Sequence, residues 1–144
     1  MIAAALASSL MTAGCGGESE PNYSATKFSH CLSARDVGPQ DMSTSPSEEP
    51  YIDALDRLAA QAARENGALE AFSNEALPGA STIYFLFFDN PDHARASQQR
   101  LARVARKEHA DDQLVVRGNL VTVGPEQRRA QARIVDECLK DSTS

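Results

Sequence analysis

The stretch TIYFLFF, from Thr82 to Phe88, gives the clearest β-strand signal in the chain. It is rich in β-branched and aromatic residues, and its alternating side chains are apolar on both faces. A strand that is apolar on both sides is typical of the interior of a sheet. We therefore expect residues 82–88 to form a central strand.

A β-hairpin is predicted further along the chain, where Leu114–Arg117 and Leu120–Val123 flank the dipeptide Gly118-Asn119. A two-residue loop that begins with glycine suits a type II′ turn. Such a loop sets the register of the two strands and pairs Val116 with Val121. One face of the hairpin then consists wholly of apolar residues and is predicted to be core: Leu114, Val116, Val121 and Val123.

Two helices are predicted before the central strand. Ser24 is placed to cap a first helix that runs to about Arg35. An apolar stripe over residues 52–62 predicts a second, amphipathic helix. The start of this second helix is open, because either Ser45 or Ser47 can act as its cap.

Two more helices are predicted after the central strand. The run Asn90-Pro91-Asp92 is typical of a helix start, and Pro125-Glu126 marks another. Residues 36–47 are turn formers without periodicity and are predicted to be loop. Residues 68–73, ALEAFS, fit an edge strand and a helix equally well.

These elements predict an α+β fold, with helices packed on a small antiparallel sheet of three or four strands. The order strand, helix, strand, strand, helix matches most of a ferredoxin-like unit. The right-handed crossover rule places residues 82–88 beside the second strand of the hairpin, with both helices of the unit on one face.

The first fourteen residues, MIAAALASSLMTAG, are small and apolar and carry no charge. This run is too short to span a bilayer and is typical of a signal peptide. The sequence Thr12-Ala13-Gly14-Cys15 resembles the lipobox of bacterial lipoproteins, although Thr12 stands where leucine is usual and no basic residue precedes the apolar run. The resemblance implies cleavage before Cys15 and a lipid on its thiol, with acyl chains such as palmitate.

The resemblance divides the chain into three parts. Residues 1–14 are predicted to be the signal peptide, residues 15–23 the anchored cysteine with a flexible polar tether, and residues 24–144 a single α+β domain. The protein is then attached by lipid to the extracytoplasmic face of the cell membrane. The alternatives are secretion without a lipid and a cytoplasmic protein with an apolar N-terminus.

Cys31 and Cys138 fall on the apolar sides of the first and last predicted helices. In an exported protein, two cysteines within reach of each other are oxidised to a cystine. We therefore predict a disulfide between Cys31 and Cys138 that brings the two ends of the domain together. The alternative is two separate buried thiols.

Beyond the leader, the sequence resembles small uncharacterised exported domains of GC-rich bacteria. The resemblance rests on the run from Cys31-Leu32 through residues 117–121, RGNLV, to Cys138-Leu139. The resemblance implies only the fold and indicates no activity.

The formal net charge is −6 at pH 7, which argues against a nucleic-acid-binding role, because a basic stripe supplies most of the affinity in such proteins. The third predicted helix does carry several basic residues that form either an anion-binding stripe or a solvated face, and their interleaving with acids favours the solvated face. These residues are Arg95, Arg100, Arg103, Arg106 and Lys107.

The sequence contains no recognisable catalytic or metal-binding motif. His30, His93 and His109 are far apart in sequence, and none has a partner at ligand spacing. We therefore predict no catalytic residue, no metal and no cofactor. The alternative is a small envelope hydrolase or transferase whose site uses Asp111, Asp112, Arg117 and the histidines.

If the helices leave one face of the sheet open, that face is predicted to be a binding surface. The simpler packing is that helices cover it. With the face open, the exposed apolar patch would be a docking site for a partner. It would contain Tyr84, Leu86, Phe88, Val115 and Leu120. The sequence thus favours a non-catalytic, envelope-anchored domain that binds an unidentified protein or ligand.

Overall fold

The computed structural model of the protein describes residues 19–72 and 82–144. The predicted signal peptide and Cys15 lie outside the described residues. The described part contains four helices and five strands, and is therefore α+β as predicted. In chain order they are α1 (Ala25–Ala34), β1 (Gln40–Asp41), α2 (Pro50–Glu65), β2 (Gly67–Ala71), β3 (Ile83–Phe87), α3 (Pro91–Lys107), β4 (Gln113–Arg117), β5 (Leu120–Gly124) and α4 (Arg129–Lys140).

The five strands form one antiparallel sheet in the order β1-β2-β3-β5-β4. Strand β3 is central and lies beside β5, as predicted. The prediction of three or four strands is wrong, because the described residues form five. Strand β2 forms in a segment whose sequence fitted a strand and a helix equally well, and β1 forms inside the predicted loop 36–47. A strand of two residues is too short to show any periodicity in the sequence.

The hairpin has the predicted register, with Val116 opposite Val121 and Arg117 opposite Leu120. Gly118 has a φ of +54° and Asn119 does not have a positive φ, which fits a turn with glycine in its first central position. A Cβ atom at Gly118 would also lie 1.8 Å from the carbonyl oxygen of Pro21. Glycine is therefore required here both by the backbone angle and by the neighbouring chain.

Helices cover both faces of the sheet. Helices α2 and α3 pack on the face that includes Leu86 and Val121, whereas α1 and α4 pack on the face that includes Phe85 and Leu120. The prediction that the helices after β3 and β5 share one face, as in a ferredoxin-like unit, is therefore wrong. Because β5 is buried along its whole length on both faces, the sheet needs a helical layer on each side.

The predicted disulfide between Cys31 and Cys138 is confirmed. It joins α1 to α4 across a sequence separation of 107 residues, with the two Cα atoms 5.5 Å apart. An ion pair between Arg35 and Glu137 connects the same two helices. Beneath them, the ring of Phe28 lies 4.9 Å from the ring of Phe85. The cystine therefore fixes one of the two helical layers on the sheet.

Two helix starts lie where the sequence predicts them. The Ser24 hydroxyl accepts a hydrogen bond from the backbone N–H of Lys27, at the start of α1. The side-chain oxygen of Asn90 accepts a hydrogen bond of 2.9 Å from the N–H of His93, at the start of α3. Both caps satisfy amide groups that have no partner within the helix.

The other two helices begin later than predicted. Helix α2 starts at Pro50, because the Ser47 hydroxyl accepts a hydrogen bond from the N–H of Glu49 in a local turn that precedes the helix. Helix α4 starts at Arg129 rather than at Pro125.

The segment from Glu20 to Tyr23 packs on the domain beside the hairpin turn. Tyr23 forms an isolated bridge with Thr143, and its N–H donates a hydrogen bond of 2.6 Å to the side-chain oxygen of Asn119. Glu20 forms an ion pair with Arg95. These contacts place residues 20–23, the last part of the predicted tether, against the folded domain.

Candidate functional site

A cleft of about 530 Å³ opens between the start of α2, the end of α3 and the sheet. The first turn of α2 contributes Tyr51, and the next turn contributes Leu55, which lies on the same side of the helix four residues later. Strand β3 contributes Tyr84, and the segment before β4 contributes Asp112. Residues 42–43 and Glu70 complete the lining, so five separate stretches of the chain meet at this cleft.

One wall of the cleft is closed by a hydrogen bond between two of these stretches. The Tyr51 hydroxyl donates to Oδ2 of Asp112 over 2.8 Å. Burial raises the pKa of Tyr51, and the Asp112 carboxylate raises it further by accepting the hydroxyl proton and by its charge. Tyr51 therefore remains a neutral donor at physiological pH.

The cleft is strongly acidic. Five carboxylates line it, and none of its lining residues among those described is lysine, arginine, histidine or cysteine. Burial raises the pKa of Tyr84, and the negative charges of nearby carboxylates raise it further. The acidic residues of the lining are Glu49, Asp56, Glu70, Glu108 and Asp112.

The five residues of the predicted apolar patch do not form one surface. Tyr84, Leu86 and Phe88 belong to the face covered by α2 and α3, whereas Val115 and Leu120 lie on the opposite face. Leu86, Phe88 and Leu120 are fully buried, and Val115 is 41% exposed. The prediction of a single exposed patch is wrong because helices cover both faces. Only Tyr84 lines the cleft.

The residues of the predicted alternative enzyme site are dispersed. Asp112 lies in the cleft, but Arg117 is at the far end of β4, about 16 Å away along the strand, and pairs with Asp136 of α4. His93 and His109 lie near opposite ends of α3, about 24 Å apart along its axis. His30 lies on α1, which packs on the other face of the sheet.

His93 does have a partner that its sequence position does not reveal. Its Nδ1 lies 2.6 Å from Oε1 of Glu65, which also accepts a hydrogen bond from the N–H of Asp89. The hydrogen bond to Glu65 raises the pKa of His93. Burial alone would raise the pKa of Glu65, but its hydrogen bonds with His93, Asp89 and Gln61 outweigh burial and lower it.

The Glu65, Asp89 and His93 side chains place possible metal-ligating atoms within 4.8 Å of one another. However, Gln61 donates to the second oxygen of Glu65 over 2.7 Å, so both oxygens of this carboxylate already accept hydrogen bonds. An ion pair that joins the end of α2 to the start of α3 accounts for this geometry without a metal.

The basic residues of α3 lie on its exposed face. The charge of Arg95, the basic residue nearest the start of the helix, is neutralised by carboxylates. Arg95 pairs with both Asp92 and Glu20. Arg100 donates to the side chains of Gln61 and Ser97. These contacts agree with the interpretation of the stripe as a solvated face.

No protein-family model matches the sequence, and no curated protein or solved structure is significantly similar to it. Within residues 19–72 and 82–144, no helix has both the length and the apolar character that crossing a bilayer requires.

Proposed function

We propose that this chain is an exported binding domain, anchored to the membrane by a lipid on Cys15, whose binding site is the cleft between α2 and α3. The observation that carries the proposal is the cleft itself. Its volume of about 530 Å³ falls within the range of small-molecule sites in proteins, and it combines apolar walls with a few convergent polar groups.

Two features support export. The leader resembles that of a lipoprotein, and the Cys31–Cys138 cystine is a bond that persists in oxidising compartments. The lipid would hold the domain at the extracytoplasmic face of the membrane, and secretion without a lipid is the alternative outcome.

The chemistry of the cleft favours binding over catalysis. Its polar side chains are chiefly carboxylates and two phenols, and the pKa values of both phenols are raised, so neither is a nucleophile near neutral pH. The candidate residues for a hydrolase or transferase do not converge on it, apart from Asp112.

Nuclear magnetic resonance on the isotope-labelled full chain tests this function. The small-molecule fraction of a bacterial envelope extract is added, and we expect backbone amide shifts to change mainly at residues 42–56, 84 and 108–112. The same changes should be absent in a Tyr84→Ala variant. Changes confined to other surfaces would overturn the cleft as the site. Turnover of an extract component that Asp112→Asn abolishes would overturn the non-catalytic function.

A further inference from the structure

The structure assigns a ligand class to the cleft: a small organic cation with an ammonium or guanidinium group and an aliphatic portion. The cationic group would lie between the rings of Tyr51 and Tyr84 and the surrounding carboxylates, and the aliphatic portion would lie on Met42 and Leu55. This inference rests on the proposed function of the cleft as a binding site.

The first argument is an imbalance of charge. Among the described carboxylates within the helices, Asp56, which lines the cleft, is the one without a salt bridge, whereas Asp53 pairs with Arg57 and Asp136 with Arg117. In contrast, none of the five cleft carboxylates forms a salt bridge with any described residue. Within residues 19–72 and 82–144, the hydrogen bonds that Asp112 and Asp56 accept come from neutral donors, the Tyr51 hydroxyl and the Ser45 N–H.

Like charges in a partly enclosed cleft repel one another more strongly than they do on an open surface, because less water screens them. A bound cation would relieve this repulsion. An ammonium group offers three hydrogen-bond donors and no acceptor, which matches a lining that presents mainly carboxylate oxygens. An anionic ligand would add to the repulsion.

The second argument comes from the two tyrosines. Tyr84 is partly buried and lines the cleft together with Glu70, Asp112 and Asp56, and Glu70 lies directly opposite it on the neighbouring strand β2. Tyr51 lines the same cleft as Tyr84. Aromatic faces attract cations, and the attraction grows when the cation is shielded from water.

The third argument is the size and the apolar part of the lining. A volume of about 530 Å³ is far larger than a single ammonium group needs. Met42, Leu55 and Ile52 supply apolar surface, and Ile52 is one of the large apolar residues that remain exposed, at 40%. A ligand that fills the cleft therefore carries hydrocarbon beside its charged group.

Calorimetric titration of the full chain with three probes of equal chain length isolates the effect of charge. The probes are hexylamine, 1-hexanol and hexanoate, which are cationic, neutral and anionic at pH 7. We expect hexylamine to bind at least about 10-fold more tightly than 1-hexanol, and hexanoate to show no measurable binding. Equal affinity for hexylamine and 1-hexanol, or tighter binding of hexanoate, would overturn the inference.

Charge-neutralising variants locate the binding. We expect Asp112→Asn and Glu70→Gln each to weaken hexylamine binding by about 3- to 10-fold and to weaken 1-hexanol binding by a smaller factor. The matched control is Asp36→Asn, which removes one exposed negative charge after α1, outside the cleft, and places there a residue that tolerates its φ of +59°. If Asp36→Asn weakens binding as much as the cleft variants, the attraction is a general effect of net charge and the inference fails.

A fourth probe, N-acetyl-lysine methylamide, distinguishes a free amine from the lysine side chain of a partner protein. We expect it to bind more weakly than hexylamine, and tighter binding would overturn the assignment to a free small molecule. The outcome also separates this inference from the proposed function. If the envelope extract shifts the cleft amides and hexylamine does not, the cleft binds a ligand but the ligand is not this kind of cation.

Discussion

The Tyr51 hydroxyl and the Asp112 carboxylate are 2.8 Å apart although 61 residues separate them in sequence. The bond joins the first turn of α2 to the segment that leads into β4. It closes one wall of the cleft, and it holds in place two of the groups that we assign to ligand binding. The cleft and the packing of α2 should therefore respond together when this bond is removed.

Tyr51→Phe keeps the ring and deletes the donor. We expect the free energy of unfolding to fall by about 1.5–3 kcal/mol, the range for a hydrogen bond to a charged group. Urea denaturation measures this change. A double-mutant cycle with Asp112→Ala is the control, and strictly additive losses in the cycle would show that the two side chains do not interact.

Breaking the cystine should lower stability strongly. The double variant Cys31→Ala/Cys138→Ala removes a cross-link that closes a loop of 107 residues. On the chain-entropy account we expect a loss of up to about 4–5 kcal/mol in the free energy of unfolding. Denaturation of the native protein with and without reductant provides the comparison. If reductant lowers the stability of the native protein but not that of the double variant, the loss of stability is due to this disulfide.

The ion pair between His93 and Glu65 should make stability depend on pH. The pKa of His93 is raised in the folded state, so its contribution is full below about pH 6.5 and is lost as the pH rises through the folded value. The pKa of Glu65 is lowered, so its contribution is present above its ordinary value of 4.5 and is lost as the pH falls through the folded value.

We therefore expect His93→Gln to reduce the melting temperature most between about pH 5 and 6.5, and much less at pH 8.5. Differential scanning calorimetry across this range measures the effect. His30→Gln, on the exposed side of α1, is the matched control, since it removes an exposed histidine that is not part of this ion pair. A constant difference between His93→Gln and the native protein at all pH values would contradict the ion-pair interpretation.

Gly118→Ala should disturb both the hairpin turn and the N-terminal segment. The new Cβ would occupy a backbone region with φ of +54° and would overlap the Pro21 carbonyl. We expect a loss of at least about 1–2 kcal/mol in the free energy of unfolding and faster proteolysis near residue 21. Gly38→Ala is the control, since a Cβ there meets nothing within 4 Å and should change stability by less than about 0.5 kcal/mol.

The proposed anchor is tested by the intact mass of protein from the membrane fraction, after alkylation of free thiols. We expect the mass of residues 15–144 plus lipid, with two alkylations that appear only on reduction. Cys15→Ser should abolish the lipid and release the protein from membranes. An unprocessed chain with three freely alkylated thiols would overturn the anchor and the exported location together.

Features with a local sequence signal were predictable. The β-branched and aromatic residues of the stretch 82–88 predicted β3, and Gly118-Asn119 predicted the turn and hence the register of β4 and β5. The cysteines were predictable because each lies on an apolar helix face and an exported chain favours oxidation. For β3 and the turn, a few consecutive residues contain the information.

Features that depend on distant residues were not predictable in this way. Whether α4 packs beside α3 or across the sheet from it depends on the burial of both faces of β5, and an apolar strand of this kind does not show which helix covers which face. The cleft was not predictable for the same reason, because it is formed by residues that are distant in sequence. Tyr51 and Tyr84 come from different elements, and no spacing in the sequence relates them to Asp112.

If Cys15 carries the proposed lipid, the position of the N-terminal segment would set the direction in which the domain faces. Glu20–Tyr23 lies against the turn between β4 and β5, whereas the cleft lies beside the opposite ends of these strands, where β4 begins. From Cys15 to Glu20 the chain can extend at most about 18 Å. With a lipid on Cys15, the hairpin turn would be kept near the headgroups and the cleft would open toward the aqueous phase. The length of β4 and β5 separates the turn from the cleft by about 16 Å, which is twice the Debye length at physiological salt. The electrostatic potential of the bilayer surface would therefore be largely screened at the cleft.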